Sequence, residues 1–235
     1  ETGSNNNSIS LSLNTDPLYS YQWHLKNTGQ TNFASLSEGT HDLNIEDVIS
    51  SGITGLGTII AIVDTGLELS HEDLSANVVA DKSYDYSDQD NNPEPINSLG
   101  DHGTSIAGLT SAVGGNNIGV RGVAPNSKVV GFNVIGGSNN TISNMVDALG
   151  GASGGADTQQ VDIFNMSFGT NAERFFPSLI NSSIEAAFKN GADNLRSGKG
   201  AIYVTSAGNH WSYRENSNIY FCGPNYGINN SAEGF

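Results

Sequence analysis

Three short segments carry side chains that could do chemistry together. Val63-Asp64-Thr65-Gly66 puts a carboxylate directly after an apolar run. Asp101-His102-Gly103-Thr104-Ser105 puts an imidazole at a helix start, and Ser206-Ala207-Gly208-Asn209 puts an amide after another apolar run. A buried carboxylate fixes the tautomer of an imidazole and stabilises its cation, so that the imidazole can take a proton from a hydroxyl and return it to a leaving amine. A side-chain amide can donate to the oxyanion that forms on the way, a contact worth about 3–4 kcal/mol of barrier. Taken singly, each residue has an ordinary use as a turn former, helix cap or surface group. Their order, and the elements they sit on, make the set specific.

Those elements are read from periodicity. Thr58 to Val63 is a continuous β-branched run, as expected of a strand buried on both faces of a parallel sheet. Lys128 to Ile135, Val161 to Ser167 and Ala201 to Ser206 are three further runs of this kind. Helices are expected from Asn44 to a stop at Gly52, from His102 to about Ala112, from Ser143 to Leu149, and from Ser178 to Lys189 with Gly191 as the stop. Tyr19, Tyr21, Trp23 and Leu25 alternate as in a short extended segment. Strands alternating with helices predict an α/β fold with a mostly parallel sheet and helices on both faces. Ligands bind such sheets beyond the carboxyl ends of the strands, where Asp64, Ser167 and Asn209 all fall.

The composition bounds the function. Nine basic residues stand against 24 acidic ones, a formal charge of −15, which repels nucleic acid and anionic membranes and suits polycationic substrates or divalent cations. No run reaches the ~20 apolar residues of a membrane span. The opening Glu1-Thr2-Gly3-Ser4 has no basic or apolar leader pattern. Residues 1–15 read as a polar tail and 16–235 as one catalytic domain. Cys222 stands alone; it is either a buried apolar residue or half of a bridge to a cysteine outside this chain. His71 and His102 are not spaced for zinc, which argues against a metal hydrolase. His24, His41, His71 and His210 read as surface or packing residues.

The order Asp64, then His102 in His-Gly-Thr, then Asn209 in Ser-Ala-Gly-Asn resembles the subtilase family of serine proteases. Asp16-Pro17-Leu18-Tyr19, Gln22-Trp23-His24-Leu25, the stretches Gly66 to Leu74 and Ser83 to Asp90, and Gly198-Lys199-Gly200 look like the kexin/furin branch. The likeness runs from about Asp16 to Asn209. It implies a subtilisin-like fold and a serine endopeptidase with Asp64 as orienting acid, His102 as general base and Asn209 as oxyanion donor. Ser167, Phe168 and Gly169 would line the cleft and pair with the substrate backbone. The family's nucleophile belongs to a later Gly-Thr-Ser motif. Gly103-Thr104-Ser105 is part of the histidine motif, and neither Ser206 nor Ser231 sits on a suitable turn. The serine is therefore expected beyond residue 235, in the C-terminal remainder of the enzyme, whether this chain is a nicked piece or a truncated one. Alone it is expected to be inactive. The rival reading is a binding domain that keeps the fold without catalysis.

The resemblance also implies calcium. One site would use Asp16, Asp73, Asn116 and the loop residues Val113, Ile118 and Val120. The other would use Asp85, Asp90 and Asn92, where Asn92 replaces a usual acid; Asp88 and Glu94 add further hard oxygens to that loop. Specificity departs from the kexin pattern: Thr65 stands where a second Asp is usual, and Asp147 is the only acid between Gly136 and Asp147. The alternatives are a preference for basic residues before the scissile bond, helped by Asp147 and Glu173, or a broader specificity. A polypeptide substrate, a propeptide or chaperone during maturation, and a secreted or extracellular location complete the expectation.

Overall fold

In the computed structural model, residues 15–32, 41–95, 101–137, 140–151, 155–169 and 181–206 are described. Five strands, β1 (Ile59–Asp64), β2 (Tyr84–Asp85), β3 (Lys128–Asn133), β4 (Ile163–Met166) and β5 (Ile202–Thr205), form one sheet in the order β2-β3-β1-β4-β5. Every pairing is parallel. Among the described residues the α-helices are α1 (Glu46–Ser50), α2 (His102–Ser111), α3 (Ile142–Ala148) and α4 (Ser182–Gly198). This is the α/β architecture expected. The apolar run that became β1 lies at the centre, between β3 and β4.

Alternation along β1 divides the core into two layers. Ala61 and Val63 join Val130, Phe132, Phe164, Leu149 and Phe188 on the face covered by α3 and α4. Ile60 and Ile62 join Val129, Leu67, Leu74 and Ala107 on the face covered by α2. Phe132 and Phe164 are fully buried, and each such side chain contributes about 1.5–3 kcal/mol relative to exposure. Gly131 is the gap in β3 into which Leu67 packs, since a Cβ there would overlap the Leu67 side chain. The segment just after Asp64 is thereby anchored in the second layer.

Four expectations needed correction. Tyr19 to Tyr21 is a 3₁₀ turn rather than an extended segment, with Gln22 N–H donating to Tyr19 O; Leu25 is buried while Trp23 is 45% exposed. A turn of about three residues can mimic alternation over so short a stretch. The first helix begins at Glu46, not Asn44, because Asn44 takes a left-handed φ of 51°. It does stop at Gly52, which has a φ of 78°. The last helix runs through Gly191 and leaves helical geometry only at Leu195, Arg196 and Ser197. Gly191 is there for space, because a Cβ would strike the Tyr203 hydroxyl. Finally, among the described residues β5 ends the sheet order, and Ile202 and Val204 are 60% and 46% exposed rather than covered on both faces. Among the described residues no helix is long and apolar enough to cross a membrane.

Candidate active site

Asp64 is the last residue of β1 and has no exposed side-chain surface. Its Oδ1 lies 2.8 Å from His102 Nδ1 and accepts from Thr65 N–H at 2.7 Å. Its Oδ2 is buried, with no hydrogen-bond partner among the described residues. Val134 and Ile135, leaving the neighbouring β3, both donate their N–H groups to Asp64 O at 3.0 and 3.3 Å. The backbone of Asp64 is therefore held by the segment leaving β3, and its carboxylate by Thr65 and His102.

His102 opens α2, and its side chain is half exposed. Because Nδ1 faces Asp64, proton exchange with a reacting group falls to Nε2. Gly103 allows the close approach: a Cβ there would overlap Gly66 O and stand 3.1 Å from Asp64 Cβ. Gly103 N–H donates to Thr65 Oγ1 at 3.1 Å, and Glu68 N–H donates to Thr104 Oγ1 at 2.9 Å. Thr65 thus gives its hydroxyl to the helix that bears the histidine. That role was not visible in the sequence, where Thr65 only marked the absence of an acid.

The pairing of Ile62 with Asn165 in β1 and β4, continued for two residues, brings Ser167 level with Asp64. Asn165 Nδ2 donates to Ser167 Oγ at 2.8 Å, and Ser206 Oγ donates to Phe168 O at 3.4 Å. Ser167, Phe168 and Gly169 therefore leave the sheet on the side where Asp64 and His102 meet. Asn209, His210, Glu173, Cys222 and Ser231 lie outside the described residues.

The acids are more committed than their sequence suggests. Asp147 accepts from the Tyr86 hydroxyl at 2.6 Å and from Gly155 and Ala156 N–H at 2.8 and 3.1 Å. Burial, and then Asp147, push the Tyr86 phenol well above its ordinary range, so it stays a donor. Asp147 accordingly serves as an acceptor for three donors within the fold. Asp85 is buried and accepts from Ser87 and Asp88 N–H and from Asn133 Nδ2. Asp90 Oδ1 accepts from Asn92 N–H at 2.9 Å. Glu94 is turned away from this loop, towards Leu69 and Ser70 N–H. Among the described residues, no three His, Cys, Asp or Glu side chains gather as a metal cluster.

Asp16 and Asp73 form a different pocket, with two acids and a loop. Asp16 accepts from Gly115 and Asn116 N–H, and Asp73 accepts from Asn116 Nδ2 and Val120 N–H. Val113 N–H donates to Asp73 O, and Ile118 N–H donates to Asn116 Oδ1. Both carboxylates are buried. Burial holds the Asp73 carboxyl above its ordinary range, with the Asp16 charge adding to the effect. Leu18 N–H donates to Gly119 O, and Gln22 and Arg121 exchange two side-chain–backbone bonds. The N-terminal segment is thus tied to the body across this loop. Beside it, a cavity of about 580 Å³ opens among Trp23, His24, His71 and Leu109 on the outer face of α2; neither Asp64 nor His102 lines it.

Comparison with known proteins agrees with this geometry. The subtilase family model, peptidase S8, matches residues 55–226. Over 212 residues the chain is 36% identical to neuroendocrine convertase 2 of Mus musculus, covering 88% of this chain and 31% of that protein. It is 33% identical to Furin-1 of Xenopus laevis over 198 residues, covering 83% and 23%. Among solved structures, a serine protease of Aeromonas sobria aligns with a TM-score of 0.74 and 29% identity, covering 90% and 36%. The same protease in complex with its chaperone gives a TM-score of 0.73 and 32% identity, covering 83% and 32%. The chain thus spans roughly a third or less of the length of these relatives. A buried aspartate at the carboxyl end of a parallel strand paired to a histidine that opens a helix, a family model matching most of the chain and relatives of the same kind all agree: the chain belongs to the subtilase family.

Proposed function

We propose that this chain supplies the acid, base and oxyanion donor of a serine endopeptidase. The observation that carries the reading is the Asp64–His102 pair, 2.8 Å apart with the acid fully buried. Asp64 orients the imidazole and stabilises its cation. His102 Nε2 takes the proton of a serine hydroxyl supplied by the C-terminal remainder of the enzyme, then delivers it to the leaving amine. Asn209 donates its amide to the oxyanion. The Ser167–Gly169 segment pairs with the substrate backbone beside the pair. Asp147 is already bonded to Tyr86 and two amides, which favours the broader specificity over a requirement for basic residues.

Calcium belongs to the same reading. Asp16 and Asp73 are buried carboxylates that make no ion pair among the described residues, and hard oxygens suit this cation. Asp16, Asp73 and Asn116, with backbone oxygens of Val113, Ile118 and Val120, would hold it. Bound there, the ion would neutralise the buried pair and strengthen the link between the N-terminal segment and the body. The Asp85, Asp90 and Asn92 loop fits less well, because Asn92 offers a neutral amide oxygen in place of a carboxylate. A chaperone or propeptide partner is supported by the Aeromonas sobria complex. Export is supported by the acidic, Asn- and Gly-rich composition. The test is peptide hydrolysis by the full-length protein, which a His102→Ala substitution should lower by about 10⁴-fold or more. Equal activity in the two would overturn the reading.

A further inference from the structure

The loop that follows Asp64 is held by its own backbone amides. Four consecutive N–H groups, those of Leu67, Glu68, Leu69 and Ser70, each find an acceptor outside the loop. Leu67 N–H donates to Pro93 O at 2.8 Å and Glu68 N–H to Thr104 Oγ1 at 2.9 Å. Leu69 and Ser70 N–H both donate to Glu94 Oε1, at 3.0 and 3.4 Å. Gly66 completes the fit, with a φ of 126° and room for no Cβ, which would stand 2.6 Å from Pro93 O.

One side of this segment is therefore stitched to the first turn of α2, which carries His102, through Thr65 Oγ1 and Thr104 Oγ1. The other side is gripped by Pro93 and Glu94. We propose that Glu94 is a positioning residue for the Asp64–His102 pair, acting through the amides of Leu69 and Ser70. This rests on the endopeptidase reading. Glu94 touches neither reacting group; it keeps the loop seated on α2, so that Asp64 and His102 stay in register with each other and with the substrate. Displacements of about 1 Å at such sites cost roughly 100-fold in rate. The role needs an acceptor at Oε1, not a charge.

The test uses the full-length enzyme with Glu94→Gln, Glu94→Met and Glu94→Ala, assayed well below each variant's melting temperature. Gln keeps the acceptor, whereas Met keeps the length and packing without it, so a failure of the Ala variant to fold leaves the comparison intact. The expected result is a kcat lowered about tenfold or more in the Met variant, KM within about twofold, and kcat within about threefold of wild type for Gln. Unchanged kcat in the Met variant, or equal losses in Met and Gln, would overturn the proposal while wild-type activity keeps the endopeptidase reading. A wild-type protein that neither hydrolyses peptides nor reacts with a fluorophosphonate overturns both.

Discussion

Asp64 Oδ1 and His102 Nδ1 lie 2.8 Å apart, joining a carboxylate with no exposed surface to an imidazole whose side chain is half exposed. This contact is the direct link from the acid to the imidazole; among the described residues the Oδ2 of Asp64 has no hydrogen-bond partner. Replacing Asp64 by Asn should leave the shape intact but present an N–H to Nδ1, favouring the wrong tautomer. In the full-length enzyme, kcat should fall by about 10⁴-fold with little change in KM. Steady-state kinetics beside a thermal melt checks this; a loss explained by unfolding would contradict it.

The calcium site proposed at Asp16 and Asp73 predicts a stability that depends on the ion. At free calcium of about 100 times its dissociation constant, binding adds about 2.7 kcal/mol, which chelation removes. The melting temperature should fall on adding a chelator to the wild type, and fall much less in Asp73→Asn. Melts at matched ionic strength decide it; identical melting with and without calcium contradicts the site.

Asp147 gives a prediction that separates structure from specificity. Asp147→Asn weakens its bonds to Tyr86, Gly155 and Ala156, and should cost about 1–3 kcal/mol of stability. The ratio of kcat/KM for substrates with arginine or leucine before the scissile bond should stay within about twofold, because the carboxylate is engaged by three donors of its own fold. A selective loss with the arginine substrate would return Asp147 to the cleft.

Much of the fold was legible because its signals are local. The β-branched runs at 59–64 and 128–133 declare central strands, and Gly52 declares a helix end. Asp64 and His102 were legible because each sits in its own short motif at an element boundary. Signals that depend on distant partners were not. Gly191 read as a helix stop because only the fold brings Tyr203 against it. The bond between Asp147 and Tyr86 left no sign in the sequence, because the two lie 61 residues apart. Glu94 read as one more acid in a calcium-like loop, since nothing local reveals that its oxygen reaches Leu69, 25 residues earlier.

In the proposed reaction Asp64 and His102 activate a serine that acts as nucleophile. The most direct measurement is labelling of the full-length protein by a fluorophosphonate, with the modified residue located by peptide mapping. One serine should be labelled, in a Gly-Thr-Ser segment outside these 235 residues, and His102→Ala should sharply slow the labelling. No labelling of the wild type, or equal labelling of the two proteins, would contradict the account.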